Sequence, residues 1–126
     1  SQVEAAGHEW KVKGIFWHQG EADSNAKAEN YEANFRRLIA RLRNDWGGEL
    51  PIVAGKIRPL TDGARKVNEA LQAVADDEPK LAVVEVDDLP AETPANVHFN
   101  TAGCLELGRR LAKAFFELSG DSESKP

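Results

Sequence analysis

Two short polar strings hold most of the residues that could do acid–base chemistry. One is Trp17-His18-Gln19-Gly20-Glu21-Ala22-Asp23, and the other is Asn96-Val97-His98-Phe99-Asn100. His98 suits proton transfer because an unperturbed imidazole titrates near about 6.5. A carboxylate such as Glu21 would hold the imidazole tautomer and stabilise the imidazolium that forms. Gln19 offers an amide NH2, a neutral donor for a developing oxyanion. Gly20 lets the backbone turn sharply or approach a ligand closely. His18 abuts a strand end, where it either contacts substrate or serves as a hydrogen-bonded structural histidine. Asp23 reads first as a helix cap. A nucleophile is the missing part. The serines are Ser1, Ser24, Ser119, Ser122 and Ser124; Ser24 fits a helix cap, and the others are terminal.

These strings need a scaffold, and the hydrophobic pattern supplies one. Residues 13–18 (KGIFWH), 51–57 (PIVAGKI) and 81–86 (LAVVEV) are short apolar runs rich in branched residues, read as buried strands. Between the first two, Tyr31, Phe35, Leu38, Ile39, Leu42 and Trp46 recur at helical spacing, with Gly47-Gly48 as a stop. A second helix starts at Thr61 or Asp62 and carries Val67, Leu71 and Val74 on one face. The last starts at Asn100 or Thr101 and buries Leu107, Leu111, Phe115 and Leu118. Residues 1–9 fit a helix end with Gly7 at its stop, and 120–126 (GDSESKP) reads as a disordered tail. Strand–helix alternation predicts an α/β fold, a parallel sheet covered by helices on both faces. Sites in such sheets form at the C-terminal ends of the strands, which places both polar strings on one rim.

Composition narrows the classes. The 126 residues suit one domain, and 41% hydrophobic with 29% charged content is ordinary for a globular chain. A net charge of -5 with no basic stripe argues against nucleic acid as a partner. No apolar run reaches the ~18 residues a membrane span needs. The N-terminal residues have no charged-then-apolar layout of a signal peptide. The single cysteine, Cys104, excludes an internal disulfide and a cysteine-rich metal site. It lies in an apolar helical pattern and is expected to be a small buried side chain.

The string GIFWHQGEADS resembles the WHQGE-x-D block of the sialate O-acetylesterase and acetylxylan esterase group, carbohydrate esterase family six of the SGNH hydrolases. VHFNTAGCLELGRRLAKAF resembles the closing block of the same group, and residues 8–117 fit it in length and order. The resemblance implies a flavodoxin-like three-layer α/β/α sandwich, seen here through its last three strands. Residues 1–119 would be the C-terminal portion of one esterase domain. It implies release of acetate from acetylated sugars through a serine acyl-enzyme, with no metal or organic cofactor and a secreted or periplasmic location. By the same resemblance His98 matches the catalytic base and Gln19 the oxyanion amide.

Two departures follow. The serine and glycine blocks of the family precede the first block matched here, so the nucleophile is expected from a missing N-terminal segment or a second chain that also completes the sheet. Relatives carry an aspartate three residues before the histidine, where this chain has Ala95. Glu21 is then the candidate acid, with Glu92, Asp87 and Asp88 behind it; its competing role is a helix-start carboxylate. A chain without turnover of its own is the rival expectation. A carbohydrate-binding module ranks last, because the three tryptophans do not cluster in sequence.

Overall fold

The computed structural model describes residues 1–120. Three strands form one parallel sheet: β1 (Ile15–Trp17), β2 (Ile52–Gly55) and β3 (Leu81–Val84), in the order β1-β2-β3. Ile15 pairs with Ile52, and Ile52 with Leu81, so the strands start in step. Four α-helices accompany them: α1 (Gln2–Ala5), α2 (Tyr31–Trp46), α3 (Asp62–Asp77) and α4 (Thr101–Ser119). Two 3-10 turns, Glu21–Asp23 and Ala26–Asn30, join β1 to α2. This is the α/β architecture that the alternation predicts.

The two-residue period of a strand decides which helix each side chain meets. Ile52 and Ala54 of β2 pack with α2 and α3 through Tyr31, Phe35, Ile39, Val67, Leu71 and Val74. Val53 points the other way and joins Val84, Val86, Leu89 and Leu107, with Phe99, Leu111 and Phe115 against them. The sheet therefore lies between α2/α3 and α4, and β2 is buried along its whole length. A central strand covered on both faces reads as a continuous apolar run for this reason.

The caps follow residue chemistry. Of Asp23, Ser24 and Asn25, the three caps that the polar stretch offers, Asn25 caps the second 3-10 turn by accepting from Lys27 N–H. Thr61 Oγ1 accepts from Ala64 N–H at α3, and Asn100 Oδ1 from Gly103 N–H at α4. Gly47 ends α2 at φ 110°, and Gly120 ends α4 at φ 73°. The remaining residues of the expected tail, 121–126, lie outside the described residues.

Three expectations change. The strands are shorter than their apolar runs. Beyond β2, Ile57 gives both its backbone groups to the side chain of Asn68 and not to a neighbouring strand. Trp46, expected on the buried stripe of α2, is 46% exposed, since it lies in the last turn beyond the core and meets Trp10 edge-on at 5.7 Å. Two of the three tryptophans thus do meet in space. Cys104, expected to be buried, is exposed. The buried face of α4 passes through Gly103 and Leu107, and Cys104 lies about 100° around the helix from Gly103.

Candidate active site

The segment after β1 is built around Gly20. Its φ of 154° lies outside the range that side chains favour, and a Cβ there would come 2.7 Å from Val67 Cγ1. Only glycine lets the chain turn down beside α3 at this point. The 3-10 turn that follows is closed by Asp23 N–H to Gly20 O at 3.0 Å, and by Ser24 Oγ–H to Glu21 O at 2.7 Å. The start of α3 packs directly on it: a Cβ on Gly63 would be 2.2 Å from the Ser24 carbonyl oxygen. Glu21 is thereby carried, half-buried, on a turn fixed from below by α3.

His98 comes from the other side, on the loop between β3 and α4. The base of this loop is fastened by an antiparallel bridge between Ala91 and Phe99 and by Asn100 N–H to Pro90 O at 3.1 Å. His98 N–H donates to Asn96 Oδ1 at 2.9 Å. The His98 side chain is exposed, and among the described residues no hydrogen bond engages its ring.

The two segments share a cavity of about 320 Å³ on the C-terminal rim of the sheet. His18, Glu21, Val97, His98, Phe99, Cys104 and Leu107 lie on its wall. Glu21 and His98 face the same space without a hydrogen bond between them. His18 stacks on Phe99 with ring centres 6.0 Å apart. Its Nε2 lies 3.2 Å from the Lys56 carbonyl oxygen, where a protonated Nε2 donates. His18 is therefore both a cavity wall and a tether between β1 and β2.

Gln19 points elsewhere. Its Nε2 donates to Asp23 Oδ2 at 2.8 Å, and its backbone carbonyl accepts from Tyr31 Oη at 2.9 Å. It lines a smaller cavity, about 120 Å³, with Trp17, Asp23, Lys27, Tyr31 and Phe35. Burial pushes the Tyr31 phenol above its usual range, with the charges of Asp23 and Glu21 acting the same way, so Tyr31 is a donor here and not a phenolate. Gly20 separates the two cavities as the buried link between Gln19 and Glu21.

The other carboxylates divide clearly. Asp88 pairs with Arg110 through contacts of 2.8 and 2.6 Å, which hold its carboxyl down at about 2. Asp87 lines a separate cavity with Lys56 and Arg65, and Glu92 is exposed. None of the three lies on the wall that His98 shares with Glu21. None of the described serines lies there either. Ser1 caps α1, and Ser119 Oγ donates to Phe116 O. No cluster of three or more His, Cys, Asp or Glu suited to a metal ion occurs among the described residues. No helix among them is long and apolar enough to cross a membrane.

Two residues that sequence patterns did not single out shape this rim. Asn68, buried on α3, holds Ile57 through two 2.8 Å hydrogen bonds, from Ile57 N–H to Oδ1 and from Nδ2–H to Ile57 O. Arg58, next in the chain, reaches across to the carbonyls of Thr93 and Asn96 in the His98 loop. Their partners are backbone groups, which leave no residue-type signature.

A parallel sheet between helices, with a histidine and a glutamate on one wall of a cavity at its C-terminal rim, defines an α/β domain. The family model described as carbohydrate esterase, sialic acid-specific acetylesterase, matches residues 1–117, and the chain belongs to that family. The crystal structure of a protein from Arabidopsis thaliana is similar, with 31% sequence identity and a TM-score of 0.77. The match covers 92% of this chain and 48% of the plant protein, so the chain spans about half the length of that relative. None of the curated proteins matches the chain.

Proposed function

We propose that the protein acts in hydrolysing O-acetyl esters on carbohydrate, with His98 as the proton carrier and Glu21 as its orienting acid. The observation that carries the proposal is the shared wall: His98, with an uncommitted ring, and Glu21 face one cavity at the strand ends. Membership of the acetylesterase family supports the reaction class.

In this scheme a serine from polypeptide outside these 126 residues attacks the acetyl carbonyl. His98 takes the serine proton as the new C–O bond forms, and then gives it to the departing sugar oxygen. Water repeats the cycle on the acetyl-enzyme: His98 removes its proton, acetate leaves, and the serine is restored. Glu21 stabilises the imidazolium in both halves. Gln19 is the side-chain donor proposed for the oxyanion, which requires its amide to leave Asp23 and turn across Gly20. His18 and Gly20 would meet the substrate as cavity wall and close backbone.

The test is hydrolysis of a chromogenic acetate ester. Activity that disappears in His98→Ala supports the proposal. An inert chain that no upstream segment or second chain restores favours the other reading, a domain without turnover of its own.

A further inference from the structure

The loop carrying His98 is held at two separated places. Its neck is fastened by the Ala91–Phe99 bridge and by the close fit of Gly103, where a Cβ would be 2.3 Å from the Pro90 oxygen. Its tip, Thr93 to Asn96, has one internal backbone bond, Asn96 N–H to Thr93 O at 3.1 Å. The other hold on the tip is Arg58. Its Nη1 donates to Asn96 O and, at 3.4 Å, to Thr93 O. His98 lies between these anchors, and its own N–H is bonded to the side chain of Asn96.

We propose that Arg58 is a positioning residue for His98, acting through the carbonyls of Thr93 and Asn96. The physical chain runs from the core outward. Asn68 on α3 fixes both backbone groups of Ile57. Ile57 places Arg58 beyond the end of β2, half-buried. The guanidinium charge strengthens its bonds to neutral carbonyls. Asn96 then transmits the restraint to His98 from both sides, its main chain held by Arg58 and its side chain holding the His98 amide. One Nη1 nitrogen serves both carbonyls, so a lysine ammonium can substitute for it, whereas an apolar side chain cannot.

The experiment measures backbone order by 15N relaxation in the 126-residue chain. Amides of residues 95–99 are expected to have order parameters near about 0.85 in the wild type and to fall below about 0.6 in Arg58→Met, with α3 and α4 unchanged. Arg58→Lys is expected to keep the loop ordered. A loop as rigid in Arg58→Met as in the wild type overturns the proposal. If Arg58→Met does not fold, Arg58→Gln, which removes the charge and shortens the reach, carries the same test. The consequence for turnover rests on the esterase proposal: on an acetate ester, kcat should fall about 100-fold in Arg58→Met with KM unchanged, and Arg58→Lys should recover most of it. An equal loss in kcat and rise in KM would instead mark Arg58 as a substrate contact and overturn the positioning role. If the wild type has no turnover, the esterase proposal fails while the relaxation measurement still decides whether Arg58 orders the loop.

Discussion

Asn68 grips Ile57 at both backbone groups, each bond 2.8 Å long, with only 8% of Asn68 exposed. Past the end of β2 no described strand takes these groups, and an α3 side chain supplies the pairing instead. Removing it strands a buried donor and a buried acceptor together. Asn68→Leu is therefore expected to destabilise the fold by about 2–4 kcal/mol. Urea unfolding of the two proteins measures the difference; a loss within about 0.5 kcal/mol, as for an ordinary surface change, would mean that water replaces the amide.

Gly20 makes a separate demand. Alanine there must adopt φ near 154° and press its methyl on Val67, which is fully buried. Gly20→Ala is expected to cost about 1–3 kcal/mol in thermal or chemical unfolding. Val67→Ala should recover part of that cost in the double variant by removing the clash, a coupling that a purely conformational penalty would not produce.

The proposed acid has its own measurement. Glu21→Gln keeps the shape and removes the charge, so kcat on an acetate ester should fall roughly 10³–10⁴-fold. Asp88→Asn should leave kcat near the wild-type value, because Asp88 is committed to Arg110. A mild effect at Glu21 would pass the orienting role to another carboxylate.

Asp88 also gives a pH prediction. The Arg110 guanidinium holds its carboxyl at about 2 against the usual 3.8. A folded-state value below the unfolded one means that the pair stabilises the protein above pH 3.8 and that this contribution is lost as pH falls towards about 2. The stability gap between wild type and Asp88→Asn should thus close over that window. Asp88 is exposed and Arg110 half-buried, so the gap is small and shrinks further in salt. A gap that persists undiminished below about pH 2 would remove ionisation as its source.

Much of this arrangement was legible in the sequence. The three apolar runs gave the strands, and the caps at Thr61 and Asn100 gave the starts of α3 and α4. The rule that parallel sheets put sites at their C-terminal ends places Glu21 and His98 on one rim, where they share a cavity. Other features were hidden for physical reasons. Arg58 and Asn68 act on main-chain groups, and a carbonyl looks the same in every residue. The Gln19 amide has two possible directions across Gly20, and only packing against Tyr31 and Asp23 selects one. Cys104 shares its neighbours' apolar pattern, but the ~100° step from Gly103 decides whether it meets the core or the cavity.

β1 pairs with β2 on one side and with no described strand on the other, and Phe16 on it is 53% exposed although its ring lies 5.6 Å from Phe115. A bare strand edge beside an uncovered aromatic is adhesive. The handling of the purified chain follows from that: at high concentration the β1 edge and the Phe16 ring offer one point of self-association.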